Sequence, residues 1–196
     1  MSKSNPGRFL EDFARGETIA HATPRTITEG DVALNIALTG SRYALFCSDS
    51  FAQACGLAGA PVDPLLVFHV VFGKTVPDIS LNAVANLGYA EGRFLAPVYP
   101  GDTLNAVSEV LGVKQNSNGK TGVVTVRTTG FNQDDATVLS FVRWVMVNKR
   151  DPASAIIDAP PQTPAPQVEP PDLVLPPGLD FSCYDSALGG SAHFLE

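Results

Sequence analysis

The chain is 196 residues long, which is enough for one ordinary domain with an additional segment. Apolar residues make up 44% of it and support a substantial core, whereas a formal charge of −7 argues against a nucleic-acid-binding protein, which would present a basic face. No basic stretch followed by an apolar one opens the chain, so no signal peptide is expected. The three cysteines lack metal-ligand spacing and are expected to be reduced thiols in a cytoplasmic protein.

The first elements predicted along the chain are a strand and a capped helix. β-branched residues over 17–27 favour a strand. Thr28 and Asp31 then have the spacing of a capping box, and the helix that they begin ends at Gly40. A second, short helix is predicted over 49–56, before a loop rich in glycine.

The most apolar stretch, residues 61–76, is predicted to be a central helix. Asp63 is a good N-cap, and Pro64 suits the first helical position. Pro77 is expected to end the helix, because the residue before a proline leaves helical geometry. The helix has no polar face and is therefore expected to be buried on all sides. It is shorter than the roughly 20 residues that a bilayer requires, so no membrane span is expected.

Four strands are predicted after this helix, over 82–95, 102–114, 121–131 and 138–149. The Asn118-Gly119 pair between two apolar runs is typical of a tight hairpin. The last strand is apolar almost throughout, which suits a strand covered on both faces. Three arginines within these strands are expected to extend to solvent: Arg93, Arg127 and Arg143. Together the elements predict an α+β fold in which a curved antiparallel sheet surrounds the helix.

The composition changes after residue 150. We predict a domain over 1–150 and an extended linker over 151–180, which holds nine of the sixteen prolines. Residues 181–196 regain aromatic and apolar character, and the Phe-Leu-Glu at their end repeats that of residues 9–11. This repetition predicts that 181–196 is the start of a second, truncated copy of the domain.

The order of the elements and one turn resemble the MaoC-like hydratases, which have the hotdog fold. The turn is Pro-Val-Tyr-Pro-Gly-Asp-Thr-Leu at 97–104, and the stretches 22–31, 61–76 and 77–89 resemble the mesaconyl-CoA hydratases within that family. The resemblance implies a hydro-lyase that adds water reversibly across the double bond of an enoyl-CoA thioester, with no metal or redox cofactor. It also implies two hotdog units in one chain, so the expected partners are an acyl-CoA thioester and a second hotdog half or a second copy.

The acid–base pair of that family has no counterpart in this chain. The usual motif is Gly-Asp-x-Asn-Pro-Leu-His followed by Phe-Ala or Tyr-Ala, whereas residues 40–46 read Gly-Ser-Arg-Tyr-Ala-Leu-Phe, with Phe-Ala at 51–52. Ser41 therefore stands at the aspartate position and Phe46 at the histidine position. A phenyl ring cannot carry a proton, and an unassisted serine hydroxyl is a poor base. We predict no catalytic residue here; this half would accommodate the substrate while a second half performs the chemistry.

Six residues are predicted to bind substrate: Arg42, Tyr43, Asp63, His69, Asn82 and Asn86. Arg42 and Tyr43 either pack on the surface or lie over the groove, where Arg42 would hold a substrate carboxylate. Asp63 is explained more simply as a helix cap. His69, on an apolar helix, is expected to be mainly a buried structural residue. Asn82 and Asn86 either cap turns or line the groove.

Two other functions remain open at this stage. The chain would act as a non-catalytic acyl-CoA-binding or assembly hotdog if no catalytic half pairs with it. It would be an acyl-CoA thioesterase if Asp63 acted as nucleophile or base, as acidic residues on the central helix do in hotdog thioesterases.

Overall fold

The computed structural model describes residues 6–161 and 175–183. After a 3₁₀ turn at Leu10–Asp12, the elements in chain order are β1 (Thr18–Thr26), α1 (Glu29–Thr39), α2 (Ala44–Cys47), α3 (Asp49–Ala54), α4 (Pro64–Thr75), a π-helical turn (Val76–Ser80), β2 (Ala83–Phe94), β3 (Thr103–Gln115), β4 (Thr121–Phe131) and β5 (Thr137–Asn148). All five predicted strands are therefore confirmed. The short helix α2 was not predicted.

The five strands form one antiparallel sheet in the order β1-β3-β4-β5-β2. The predicted hairpin connects β3 to β4, and Gly119 adopts a positive φ of 66° in its turn. β5 lies between β4 and β2 and is buried along most of its length, as its apolar sequence predicts. The two edge strands, β1 and β2, come from opposite sides of α4 in the sequence.

Helix α4 packs on the concave face of this sheet, and its residues Val67, Val70 and Val71 are buried in the core. Gly130 on β4 permits a close approach, because a Cβ there would lie 2.8 Å from a methyl group of Val71. The helix begins as predicted, with Oδ1 of Asp63 accepting a hydrogen bond from the Leu65 N–H at 2.8 Å. An α+β architecture with a curved sheet around one helix is thus observed.

Two expectations about α4 are wrong. It is not buried on all sides: Leu65 is 63% exposed, and His69, which was expected to be buried, is also exposed. Nor does the chain leave helical geometry before Pro77: α4 ends at Thr75, but Val76 stays right-handed helical, with φ of −59° and ψ of −47°, and the chain continues into the π-helical turn Val76–Ser80. Proline fits there because it lies at the start of that turn, where a missing N–H donor costs little.

Arg143 was expected to extend to solvent, and this is wrong as well. Its side chain is fully buried beneath the end of α4, where Nη2 donates to Oγ1 of Thr75 at 2.7 Å and the guanidinium lies 4.6 Å from the ring centre of Phe72. Nε and Nη1 have no hydrogen-bond partner among the described residues. Burial lowers the pKa of Arg143 to about 10, so the residue remains cationic at neutral pH.

A second buried polar group lies at His21 on β1. Its Nδ1 donates to Asp78 at 2.8 Å, and its Nε2 lies 2.8 Å from the Ser108 hydroxyl, which is itself 2.8 Å from the Thr128 hydroxyl. This is an Asp-His-Ser arrangement, but Ser108 is completely buried and lines none of the described cavities. Burial lowers the pKa of His21, against the opposing effect of the Asp78 carboxylate. We interpret the group as structural.

Parts of the predicted linker pack on the domain. The Glu11 carboxylate accepts hydrogen bonds from the Arg150 and Asp151 N–H groups at 3.0 Å and from the Ser154 hydroxyl at 2.9 Å. Ala159 pairs with Val113 on β3 through two backbone hydrogen bonds. Residues 151–161 thus pack on the domain, while the division into domain and linker stays a prediction. Most of the predicted start of a second unit, residues 184–196, lies outside the described residues.

Candidate functional site

An apolar cavity of about 410 Å³ lies at the N-terminal end of α4. Its walls come mainly from four parts of the chain: the loop and helix at 43–46, the segment 61–67 that leads into α4, residues 94–98 at the end of β2, and residues 175–181. Leu57 and Val138 complete them. The volume falls within the range typical of small-molecule sites.

The loop between α1 and α2 carries two aromatic residues into this cavity. Gly40 ends α1 in a left-handed conformation with φ of 65°, which turns the chain towards Tyr43 and α2. The rings of Tyr43 and Phe46 then pack edge to face, with their centres 5.2 Å apart. Tyr43 remains 52% exposed, so it lies at the mouth.

The lining residues carry little polar chemistry. Among the described residues that form the walls, the Tyr43 phenol is the only side chain with a polar group, and none bears a carboxylate, imidazole or amine. Phe46, which the sequence resemblance aligns with the histidine position, is part of this wall. Ser41 lies outside the wall, and its carbonyl accepts a hydrogen bond from the Cys47 thiol. As described, this cavity can hold an apolar group, but it offers no general base.

Residues 175–183, which we call the strap, form the wall that the sequence did not predict. Leu175, Pro176, Leu179 and Phe181 line the cavity, and Leu179 also packs on the cluster formed by Leu45, Ala52, Cys55 and Leu57. The Asp180 N–H donates to the Cys55 carbonyl at 2.9 Å, which anchors the strap to the end of α3. The apolar residues between prolines in this stretch were the signal for such packing.

The six predicted binding residues do not converge on the cavity. Tyr43 lines it, and exposed Arg42 precedes Tyr43 in the chain. Asp63 begins α4 next to Pro64, which lines the cavity, but one of its oxygens is occupied by capping. These three residues thus lie at or near one end of α4.

The other three residues lie elsewhere. His69 is exposed on α4, about one and a half turns after Pro64 at the cavity end. The Asn82 amide donates to the carbonyls of Pro6 and Arg8, which ties the N-terminal segment to β2. Asn86 is exposed on β2 opposite Val145. None of the three lines a described cavity, and their role in substrate binding stays a prediction.

No group of three or more histidine, cysteine, aspartate or glutamate side chains in 6–161 and 175–183 is arranged to hold a metal ion. Over the same residues, every helix is too short or too polar to cross a bilayer.

Comparisons with known proteins give a consistent result. The family model described as mesaconyl-CoA hydratase matches residues 2–193. A mesaconyl-CoA hydratase from Cereibacter sphaeroides is 62% identical over 194 residues, which cover 97% of this chain and 56% of the relative. The chain spans about half the length of the curated relatives it matches.

Solved structures agree with the observed fold. A MaoC domain protein dehydratase from Chloroflexus aurantiacus superposes with a TM-score of 0.77 at 61% identity, over 89% of this chain and 48% of that one. A Mycobacterium tuberculosis protein described as having a double hotdog fold gives a TM-score of 0.76 at 25% identity, over 94% of this chain and 58% of that one. The fold is therefore the hotdog fold.

Proposed function

The chain belongs to the mesaconyl-CoA hydratase family of MaoC-like hotdog proteins, and from this premise we propose that it is the substrate-accommodating hotdog unit of an enoyl-CoA hydratase. Water would add to the double bond of a thioester whose acyl group occupies the cavity at the start of α4. The observation that carries the proposal is the apolar lining of that cavity, with Phe46 in place of a proton-transferring histidine. The acid and the base would come from a second hotdog unit.

The sheet edges favour one place for the second unit. β1 presents Pro24, Arg25 and several threonines at its end of the sheet, which discourages pairing. β2 forms the opposite edge and exposes large apolar side chains: Val84, Leu87, Tyr89 and Phe94. A long apolar edge strand is suited to pair with another chain or unit. We place the second unit against β2.

The α4 N-terminus supports a role in binding the thioester. The N–H donors of its first turn are already bonded, because Asp63 Oδ1 accepts from Leu65 and the Asp63 carbonyl accepts from Leu66 and Val67, so the helix end acts through its dipole. The positive end of that dipole would favour developing negative charge on a thioester carbonyl oxygen placed beside it.

Arg42 is the residue that we propose holds the free carboxylate of a mesaconyl group. It is exposed and precedes Tyr43, which lies at the cavity mouth. The apolar walls suit the hydrocarbon part of such a group but cannot pair its carboxylate. A guanidinium at the mouth can do so through two parallel hydrogen bonds.

The first test measures hydration of mesaconyl-CoA by the chain alone and by the chain supplied with a second hotdog unit that contains the Asp and His pair. We expect the chain alone to bind the thioester without converting it, and hydration to require the second unit. Hydration by the chain alone would contradict the assignment of the chemistry. Release of free CoA that Asp63→Asn abolishes, although asparagine can also cap the helix, would instead show a thioesterase.

The second test uses Arg42→Gln. Loss of a charge-assisted hydrogen bond should weaken mesaconyl-CoA binding about tenfold or more, and should leave crotonyl-CoA, which has no free carboxylate, unchanged. Arg15→Gln removes the same charge from an exposed position that does not line this cavity. Equal weakening for both thioesters would exclude a carboxylate-specific role for Arg42.

A further inference from the structure

Two cysteine sulfurs meet where the strap crosses the core. The Sγ atoms of Cys55 and Cys183 are 3.4 Å apart, although the residues are separated by 128 positions in the sequence. A disulfide bond measures about 2.05 Å, so the two sulfurs need to approach by only about 1.4 Å. Cys55 lies at the end of α3 and is completely buried, whereas Cys183 is partly exposed on the strap.

The surrounding backbone holds the two residues together. Gly56 has φ of 89°, and a Cβ at this position would lie 2.4 Å from the Gly178 carbonyl oxygen. Only glycine therefore permits the strap to approach so closely. The Asp180 N–H donates to the Cys55 carbonyl, and the Asp180 carboxylate accepts from the N–H and hydroxyl of Ser182 at 2.9 Å.

We propose that Cys55 and Cys183 form an oxidisable pair, and that their disulfide fastens the strap across the apolar cavity. The oxidant is a hydroperoxide. The two cysteines are reduced in a reducing environment, and peroxide converts the non-covalent strap into a covalent one. This proposal does not depend on which acyl group, if any, occupies the cavity.

The reaction proceeds in two balanced steps. Cys183 is the more accessible sulfur. Its thiol loses a proton and the thiolate attacks hydrogen peroxide: an S–O bond forms, the O–O bond breaks, and the departing hydroxide takes up that proton and leaves as water, which gives a sulfenic acid. The Cys55 sulfur then attacks the Cys183 sulfur: the S–S bond forms, the S–O bond breaks, and a second water leaves with the Cys55 proton. Each sulfur loses one electron to the peroxide. Burial raises the pKa of Cys55 to about 11, so the second step should accelerate as pH rises towards that value.

The test uses Cys47→Ser, because Cys47 is exposed and lies on the same tryptic peptide, 43–74, as Cys55. In this background the chain retains two of its three cysteines. Peroxide should lower the number of titratable thiols from two to none and join peptide 43–74 to peptide 151–196, and dithiothreitol should reverse both changes. Two remaining thiols, a link only between separate chains, or irreversible oxidation of Cys183 without a link would overturn the proposal.

Two glycine variants test whether packing of the strap on α3 is what brings Cys55 and Cys183 together. Gly56→Ala should slow formation of the link, because its methyl group would displace Gly178. Gly16→Ala is the matched control: Gly16 has a similar φ of 84°, but nothing lies within 4 Å of a Cβ there. Circular dichroism establishes that both variants are folded. Equal rates of link formation in the two folded variants would exclude the observed strap geometry as the cause.

Discussion

Replacing Arg143 with methionine should stabilise the protein or leave its stability unchanged, although an arginine at this position makes two favourable contacts. The substitution removes the hydrogen bond to Thr75 and the contact with the Phe72 ring. Those contacts are worth about 1.5–3 and 0.5–2 kcal/mol, respectively. The Thr75 hydroxyl is not left unsatisfied, because it also donates to the Phe72 carbonyl at 2.7 Å.

The free-energy cost of burying the Arg143 charge is larger than the gain from these two contacts. The Arg143 guanidinium is fully buried, no described carboxylate forms an ion pair with it, and its Nε and Nη1 groups lack acceptors in the described residues. Each unsatisfied donor costs about 1–3 kcal/mol, and removal of the charge from water costs several more. Apolar replacements of buried charges are often neutral or stabilising by about 1–4 kcal/mol.

Urea denaturation measures the outcome. A gain of about 1 kcal/mol with a slope near 2 kcal/mol/M raises the midpoint by about 0.5 M. Arg127→Met is the matched control, since Arg127 is exposed and pairs with Glu91, and its replacement should change stability by less than about 1 kcal/mol. A loss of more than about 1 kcal/mol in Arg143→Met, with the control unaffected, would refute the argument that the buried charge is uncompensated.

Two further predictions concern pH. Hydrogen bonds to Glu11, which outweigh its burial, lower its pKa from 4.5 to about 2, so its contribution is present above pH 4.5 and is lost as pH falls towards 2. Glu11→Gln should lower the free energy of unfolding at pH 7 by about 1 kcal/mol and flatten its acid dependence, whereas Glu109→Gln, at an exposed strand position, should change neither. Burial lowers the pKa of His21 below its usual 6.5, so the unfolded chain binds the proton first and wild-type stability decreases as pH falls below 6.5. Between pH 7 and pH 5, the free energy of unfolding should decrease less in His21→Gln than in the wild type, whereas His69→Gln should show the wild-type decrease. Equal decreases in all three proteins would contradict the assignment of this pH dependence to His21.

The sequence predicted the strands and the helix caps because both have local signals. β3, β4 and β5 were located to within a residue or two, since alternating or continuous apolar runs end at glycine and asparagine turns. The cap at Thr28 has the predicted form, with its hydroxyl accepting from the Asp31 N–H and its own N–H donating to the Asp31 carboxylate. Such interactions span three or four residues, so a single sequence contains them in full.

The features that the sequence did not predict depend on contacts between distant residues. Helix α4 has no polar face, so its pattern could not show which side meets the sheet, and exposure of Leu65 was missed. Arg143 was expected in solvent because charged side chains are seldom buried completely. The strap was interpreted as linker up to residue 180 and as the start of a second unit from residue 181, although Gly56 and Gly178 bring it against α3. In each case the observed environment depends on contacts with residues that lie more than 60 positions away or on another element.

Under the proposed function, pairing and substrate binding would be linked through Phe94. This residue ends the exposed edge strand β2, lines the cavity and is 42% exposed. A unit that adds a strand to β2 would therefore cover an open side of the cavity as well as the apolar edge. Since the described walls offer no base, the double bond of the proposed substrate would face the side from which a base can enter, where Phe94 lies. A charge placed on this edge, as in Leu87→Lys, would then weaken both association and thioester binding, although Leu87 does not line the cavity.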